Sequence, residues 1–185
     1  MRHIATLLLC SLLFGCGQEI PVTAQQRLDE ATETLTKAAT DRDRFYALND
    51  AAKESFVLGK IEDARKYARE LLALLPRFPR DWNYGNAVQD ANLVLGRIAV
   101  HEGRIDDAKQ HLIQAGKSPG SPQMDSFGPN MSLAKDLLEN GERDVVLEYF
   151  ELCRKFWEMD FGKLDQWTRD VHAGDIPNFG ANLVY

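Results

Sequence analysis

Three basic residues recur at one position of a repeated pattern, and three asparagines lie shortly before them. The bases, each six residues before a glycine, are Lys53, Arg97 and Lys135. The asparagines are Asn49, Asn92 and Asn130. A row of cations attracts carboxylates, acidic segments or phosphate groups, and side-chain amides can hydrogen-bond to an extended peptide. These six residues form a candidate partner-binding site. The alternative is that the bases are ordinary solvated side chains.

No catalytic constellation accompanies these residues. The motif His-Glu-x-x-His does not occur in the sequence. Residues 116–120 read Gly-Lys-Ser-Pro-Gly and so match Gly-x-Ser-x-Gly, but that motif marks a nucleophile where it follows a strand, and here it follows an expected helix. Residues 116–118 read Gly-Lys-Ser, like the end of a phosphate-binding loop, but that loop requires a glycine where His111 stands. Acidic pairs such as Asp106 and Asp107 fall at expected helix starts, where the helix dipole accounts for them. We predict that the chain is not an enzyme, has no metal site and needs no cofactor.

The charge balance restricts the kinds of partner. The 185 residues include 28 acidic and 22 basic side chains, which give a formal net charge of −6. Nucleic-acid binding requires a basic surface, and so does broad contact with anionic lipid. The sequence therefore predicts no nucleic-acid partner, and any membrane contact must have another origin.

The amino terminus has the parts of a secretory signal. Arg2 is followed by an apolar run over residues 4–14 and by the small residue Gly15. A membrane-spanning helix needs about 20 apolar residues, so this run is too short to be one. An alternative to anchoring is a soluble secreted protein in which the next residue, Cys16, is incidental.

The end of this segment, Leu13-Phe14-Gly15-Cys16, resembles the lipobox of bacterial lipoproteins, although Phe14 is bulkier than usual. The resemblance implies cleavage before Cys16, attachment of a diacylglycerol to its thiol and acylation of the freed amine. More than one acyl chain gives stable anchoring, so the expected membrane contact is the lipid anchor alone. Gly17, where an aspartate would retain the protein in the inner membrane, implies the outer membrane, facing the periplasm.

The remaining cysteines exclude a disulfide framework. Cys10 would be removed with the signal segment and Cys16 would be acylated, which leaves Cys153 without a partner. A single cysteine in an apolar helical stripe is typically a small core residue.

The body of the chain repeats a helical pattern. Residues 59–64 read Gly-Lys-Ile-Glu-Asp-Ala, and residues 103–108 read Gly-Arg-Ile-Asp-Asp-Ala. Each phrase begins an apolar stripe with steps of 3, 4 and 3, which places its members on one helix face. The stripes, with a weaker third copy after Gly141, are Ile61, Ala64, Ala68, Leu71; Ile105, Ala108, Leu112, Ala115; and Val146, Phe150, Cys153. Small residues seven positions before the glycines permit close helix crossing, and they are Ala52, Gly96 and Ala134.

This pattern resembles the tetratricopeptide repeat over about residues 45–158. It departs from that family in its longer spacing, in the missing aromatic residue of each first helix and in Val146, where the family prefers alanine. The resemblance implies an all-α, right-handed solenoid of helix–turn–helix hairpins whose first helices line a concave groove. We divide the chain into the signal (1–15), an acylated tether (16–23), the repeat domain (24–175) and an apolar tail (176–185).

Hairpin arrays need capping helices, because each end exposes an apolar face. The front cap is predicted from Leu28, Ala31, Leu35 and Ala38. The back cap is predicted from Phe161, Leu164, Trp167 and Val171. The tail is too apolar to be free in solvent, so we expect it to pack on the domain or to occupy a groove that a partner later takes.

Two inserts form a second candidate surface. Residues 77–84 contain three aromatic side chains and two arginines, and the second insert contains Pro119, Pro122, Met124 and Phe127. Arginine and aromatic residues are typical interface anchors. The alternative is that they pack beneath the array as satellites of its core.

The sequence therefore favours a membrane-anchored adaptor or assembly factor that binds an envelope protein or peptide of unknown identity. The alternative is an accessory lipoprotein that binds a small ligand or a glycan in support of an envelope enzyme or transporter. An open basic groove would favour the adaptor. A pocket enclosed by Trp82, Trp157 or Trp167 with few polar groups would favour the ligand-binding protein.

Overall fold

The structure, a computed structural model, describes residues 22–184. The signal segment, Cys16, most of the tether and Tyr185 lie outside the described residues, so the predictions about them remain predictions. Between residues 22 and 184 the chain forms helices and no strand. None of these helices has the length and apolar character that a membrane span requires.

Nine α-helices occupy the described range. They are α1 (Ala24–Lys37), α2 (Asp41–Val57), α3 (Ile61–Leu74), α4 (Tyr84–His101), α5 (Ile105–Gly116), α6 (Pro122–Phe127), α7 (Ser132–Glu139), α8 (Arg143–Cys153) and α9 (Lys163–Ala173), with 3-10 turns at Leu75–Arg77 and Gly180–Leu183. Helices α1 and α2 each begin with a capping box, formed by Thr23 with Gln26 and by Thr40 with Asp43.

Three packed helix pairs, α2–α3, α4–α5 and α7–α8, form the body of the domain. The turn glycines of these pairs have positive φ values, 72° at Gly59, 71° at Gly103 and 82° at Gly141. This conformation strains other residues, which explains why glycine recurs at the turn. The first helices also contact one another, α2 with α4 and α4 with α7. The prediction of an all-α fold is confirmed.

The apolar stripes form the core. Most of their members are fully buried: Ala64, Ala68, Leu71, Ala108, Leu112, Ala115, Val146, Phe150 and Cys153. Gly96 permits the predicted close crossing, because a Cβ there would overlap the side chain of Leu133 on α7. Burial raises the pKa of the Cys153 thiol, so this cysteine is an inert core residue.

The two ends of the domain are covered by α1 and α9. Leu28 and Ala31 of α1 are buried, as are Leu164, Trp167 and Val171 of α9. The placement of Phe161 in the closing stripe was wrong, because α9 begins only at Lys163. Phe161 precedes it in a turn with φ of 51° and is 81% exposed.

The tail packs back onto the domain. Phe179 is buried, and its ring lies 4.9 Å from that of Trp167 and 6.2 Å from that of Phe150, measured between centroids. Trp157 adjoins the same cluster, 5.7 Å from Trp167. These two tryptophans are therefore core residues, and the tail is held by them.

Each insert has one packed and one exposed aromatic or apolar anchor. In the first insert, Phe78 packs on Phe45 with ring centroids 5.0 Å apart, whereas Trp82 is 53% exposed. The second insert contains α6, a helix that the sequence did not predict. Its Met124 is buried, whereas Phe127 is 78% exposed.

His111 on α5 predicts a dependence of stability on pH. Burial lowers the pKa of His111, while Asn92 Oδ1 lies 3.0 Å from its Nδ1. A lowered folded-state pKa means that the unfolded chain binds the proton more tightly. The free energy of unfolding should therefore fall as the pH drops through about 6.5, the value expected in the unfolded chain. Urea unfolding at several pH values should show this decrease.

The variant His111→Gln should flatten that part of the pH profile. Gln110→Ala, which replaces the exposed neighbour of His111 and changes no titratable group, is the control and should retain the wild-type profile. An unchanged profile in His111→Gln would show that another group causes the dependence.

Candidate functional site

Lys53, the first of the three predicted cationic positions, lies between two carboxylates. Its Nζ is 3.2 Å from Asp50 and 3.5 Å from Asp90, and its side chain is 13% exposed. Burial opposes the charge on Lys53, but the two carboxylates outweigh that effect and raise its pKa. Burial also raises the pKa of Asp90, against the attraction of Lys53. The charge of Lys53 is therefore compensated locally.

The other two bases are paired as well. Arg97 contacts Asp136 of α7 at 2.7 Å, and its guanidinium lies 4.8 Å from the ring centroid of Phe56. Lys135 forms an ion pair with Glu139, one turn further along the same helix. The three bases thus occupy successive first helices, and each faces a carboxylate. The pairing reduces the positive potential that an anionic ligand would meet, and anion binding by this row remains a prediction.

The three predicted asparagines do not share one surface. Asn92 points toward α5, where its Nδ2 donates to the carbonyl of Val88 at 2.8 Å and its Oδ1 faces His111. Asn49 and Asn130 instead line one cleft on the side of the first helices, between α2, α4 and the loop before α7. The structure therefore brings together two of the three.

We call this concavity the amide cleft, because side-chain amides dominate its polar lining. Its volume is about 470 Å³. The amides are Asn49, Asn83, Asn86, Gln89, Gln123, Asn130 and Asn182. Lys53 and its two carboxylates lie in the same wall, and Trp82 and Phe127 lie at the rim. The volume is within the range of about 300–1,000 Å³ that is usual for ligand sites.

A buried network fixes the floor of the cleft. Gln89 Nε2 donates to the hydroxyl of Tyr149 at 3.1 Å, and that hydroxyl donates to the carbonyl of Asn130 at 3.2 Å. Gln89 Oε1 accepts from the backbone N–H of Asn130 at 3.3 Å, and Asn130 Oδ1 accepts from Ser132 N at 2.8 Å. Tyr149, which lies on α8, thus holds Gln89 and Asn130 in place through these hydrogen bonds.

The tail holds the loop that carries Asn130. Asn182 Nδ2 donates to the backbone carbonyls of Phe127 and Pro129 at 3.0 and 3.1 Å. The backbone carbonyl of Asn182 accepts from Met131 N at 2.7 Å. Asn182 is 5% exposed. The tail is therefore a structural wall of the cleft, not a loose occupant of it.

The opposite wall depends on a close contact between the first turn of α4 and the second insert. Ser118 Oγ donates to the carbonyl of Gly85 at 2.8 Å, and Ser121 Oγ donates to Asn86 Oδ1 at 2.6 Å. A Cβ at position 85 would overlap the carbonyl of Gly120. Glycine at position 85 therefore lets the insert approach α4 and orient Asn86.

Two amides of the cleft have unsatisfied polar atoms. Asn49 Oδ1 and Asn130 Nδ2 are buried and have no hydrogen-bond partner among residues 22–184. The residues themselves are 8% and 6% exposed. Buried polar atoms are nearly always paired, so an unpaired acceptor and an unpaired donor in one cleft mark a place for ligand or water hydroxyls.

The rim presents two exposed aromatic rings. Trp82 lies 5.8 Å from Tyr46, measured between ring centroids, and Tyr46 OH donates to Asp81 at 2.7 Å. Phe127 lies on the second insert. The inserts and the first-helix side, which the sequence treated as two candidate surfaces, therefore meet at this cleft.

A second concavity, which we call the back groove, lies between α5 and α8. It has a volume of about 900 Å³, and half of the residues that line it are charged, among them Asp106, Lys109, Glu142 and Glu148. Several of these charges are paired, such as Lys109 with Asp106 at 2.8 Å and with Glu142 at 3.3 Å. Within the described part of the chain, no group of three or more His, Cys, Asp or Glu side chains is placed to hold a metal.

Comparisons with models of known protein families, with curated proteins and with solved structures found no match. The function must therefore be inferred from the residues and the geometry of this chain.

The support from Tyr149 leads to a testable effect on stability. In Tyr149→Phe, Gln89 Nε2 loses an acceptor and the carbonyl of Asn130 loses a donor, both in buried surroundings. We expect the free energy of unfolding to fall by about 1–3 kcal/mol, measured by urea denaturation. Tyr67→Phe removes a hydroxyl that makes no hydrogen bond within residues 22–184, so that control should show a smaller decrease. Equal decreases would contradict the buried network.

Proposed function

We propose that this protein is a lipid-anchored binding protein of the bacterial envelope that captures an uncharged, hydrogen-bonding ligand in the amide cleft. Its domain would be a tetratricopeptide-like array whose first helices face the ligand. The observation that carries the proposal is the pair of buried, unsatisfied amide atoms in the cleft, Asn49 Oδ1 and Asn130 Nδ2. This is the accessory ligand-binding alternative, and it supposes binding without catalysis.

The charges of the site support an uncharged ligand. The three bases that would attract an anion face Asp90, Asp136 and Glu139. A ligand that competes for these bases must replace existing ion pairs, whereas a neutral ligand can use the amides without disturbing them. The lipobox resemblance supports the location, since acylation at Cys16 would hold the cleft near the membrane surface.

A protein-binding adaptor is the second candidate, and one observation favours it. A smaller cavity of about 200 Å³ lies beside the amide cleft on the same side of the array, and Val184 lines both. Its lining includes Phe56, Val57 and Val94. An extended segment of an envelope protein could occupy this cavity with an apolar side chain and the cleft with its backbone.

Chemical crosslinking in intact cells, with the adducts identified by mass spectrometry, can test where binding occurs. In a cleft variant, Asn86→Ala with Trp82→Ala, we expect the adducts of the wild type to disappear. In a variant with Lys53, Arg97 and Lys135 all replaced by alanine, we expect them to persist. Circular dichroism of both variants serves as the folding control.

The opposite result, loss of adducts only in the triple variant, would restore the cationic row as the binding site. A separate Cys16→Ser variant should move the protein from the membrane fraction to the soluble fraction. If it stays in the membrane fraction, the proposed lipid anchor is wrong.

A further inference from the structure

We propose that the ligand of the amide cleft is a neutral saccharide, with one pyranose ring stacked on Trp82. This inference rests on the proposed function and specifies its ligand class. It is carried by the combination of exposed aromatic rings at the rim, amides in the wall and locally compensated charge.

The rim supplies the surface for stacking. Trp82 is 53% exposed and Phe127 is 78% exposed, and both rings line the mouth of the same cleft. Together the two rings give the mouth of a polar cavity an exposed apolar surface, a feature that ligand-binding grooves share. The face of an aromatic ring carries partial negative charge, and the C–H groups on the face of a pyranose carry partial positive charge. A sugar ring therefore fits this rim as an apolar partner.

The wall supplies the complement to hydroxyl groups. A hydroxyl group both donates and accepts hydrogen bonds, and a side-chain amide does both with fixed geometry. Asn49 Oδ1 is an unpaired acceptor and Asn130 Nδ2 is an unpaired donor. A single class of ligand group, the sugar hydroxyl, can satisfy both atoms. A carboxylate cannot, because it only accepts.

The charge distribution selects a neutral sugar over an acidic one. The only base that lines the cleft in the described part of the chain is Lys53, and it faces Asp50 and Asp90. The Asp50 side chain is 59% exposed at this wall and would repel a uronic acid or a phosphorylated sugar. Like charges brought together in a site oppose binding.

An extended peptide fits the cleft less well. Peptide recognition in a groove generally uses pockets for alternate side chains, in addition to bonds to the backbone. The wall here is formed by amides, and the exposed apolar groups are flat rings at the rim. A pyranose, which has C–H groups on one face and hydroxyls around its edge, thus meets more of the surface than an alternating chain does.

The test uses purified residues 17–185 and a panel of short chito-, cello- and malto-oligosaccharides. Uronic-acid oligosaccharides and an uncharged extended peptide complete the panel. Of the three tryptophans, Trp157 and Trp167 are buried, so binding should shift the fluorescence of Trp82 to shorter wavelength. We expect at least one neutral oligosaccharide to bind and to produce that shift, which should be absent with the uronic acids. Calorimetry should give the same affinity.

Substitution of the exposed aromatic residues tests which of them the saccharide contacts. Trp82→Ala should weaken saccharide binding by about tenfold or more, which corresponds to the loss of one stacked aromatic contact. Phe127→Ala should weaken it by a smaller factor. Phe161→Ala is the control, because Phe161 is 81% exposed but does not line the cleft. This variant should bind the saccharide with the affinity of the wild type.

Three results would overturn the saccharide assignment. They are binding by the peptide alone, binding by acidic sugars in preference to neutral ones, and absence of binding by every neutral saccharide in the panel. Preference for acidic sugars would also contradict the uncharged ligand of the proposed function. If adducts in cells still depend on the cleft in either of the other two cases, the proposed function stands and only its ligand class fails. If they do not, the proposed function fails as well.

Discussion

Replacing Gly85 with alanine is expected to lower the free energy of unfolding by about 3 kcal/mol or more, at the upper end of overpacking effects. A Cβ at this position would overlap the backbone carbonyl of Gly120, and backbone cannot move aside as a flexible side chain can. The second insert would have to separate from α4. The bonds from Ser118 to Gly85 and from Ser121 to Asn86 would be lost or lengthened.

Gly59→Ala is the control for this substitution. At Gly59 a Cβ meets no atom within 4 Å, but φ is 72°, so alanine there adds backbone strain without a clash. The free energy of unfolding of that variant should fall by about 1 kcal/mol. Urea denaturation of both variants measures the difference. If Gly85→Ala costs no more than Gly59→Ala, the close approach of the insert to α4 is wrong.

Replacing Asn182 with alanine is expected to reduce stability by about 2–4 kcal/mol, because two carbonyls in buried or partly buried surroundings lose their donor. The carbonyls belong to Phe127 and Pro129, in the loop that carries Asn130. The substitution should therefore also weaken ligand binding, because Asn182 positions that loop. Denaturation measures the first effect, and calorimetry with the saccharide that binds the wild type measures the second.

Asn178→Ala is the matched control in the same tail. Asn178 is exposed, and its side chain accepts only a local bond, from Gly180 N at 3.1 Å. The free energy of unfolding of Asn178→Ala should fall by about 1 kcal/mol or less, which is well below the decrease expected for Asn182→Ala. Comparable losses in the two variants would mean that the tail contributes through its apolar contacts and not through Asn182.

The sequence predicts the hairpins well because their determinants are local. The spacing of the stripe after Gly59 is enough to predict a helix face. The turn glycines indicate a backbone conformation that other residues avoid. These features depend on neighbours within a few turns, so periodicity reveals them.

Features that depend on distant contacts escape this reasoning. The helix α6 has six residues, too few for a periodic stripe, and it forms under a cap from Ser121. Phe161 falls in phase with the stripe of α9 but precedes the first residue of that helix. The path of the tail is set in part by contacts of Phe179 with Phe150 and of Asn182 with Phe127, which lie far earlier in the chain.

Some residues of the candidate site could be predicted from the sequence, but their arrangement in space could not. Asn92 stands eleven residues before Gly103, whereas Asn49 stands ten before Gly59. One residue rotates a side chain by about 100° around a helix, so the two asparagines face different sides. Asn130 stands eleven before Gly141, but α7 begins only at Ser132, so Asn130 lies in a loop and turns into the cleft.

The cleft residues that sequence reasoning missed are Asn86, Gln89, Gln123 and Asn182. Asn86 and Gln89 lie three residues apart and share a face of α4, whereas Gln123 and Asn182 come from two other segments, which periodicity cannot bring together with α4. The available signal was the density of aromatic and amide residues around Trp82 and in the second insert, which indicated a surface without showing that the two inserts meet.

Site-specific photocrosslinking in intact cells tests the central claim most directly. The photoreactive side chain, which inserts into C–H bonds of proteins and sugars alike, would replace either of two exposed glutamines. Gln123 lines the amide cleft and Gln110 lines the back groove. Binding in the cleft predicts a discrete adduct from position 123 and none from position 110. An adduct from position 110 alone, or no adduct from position 123, would contradict the assignment of the amide cleft as the binding site.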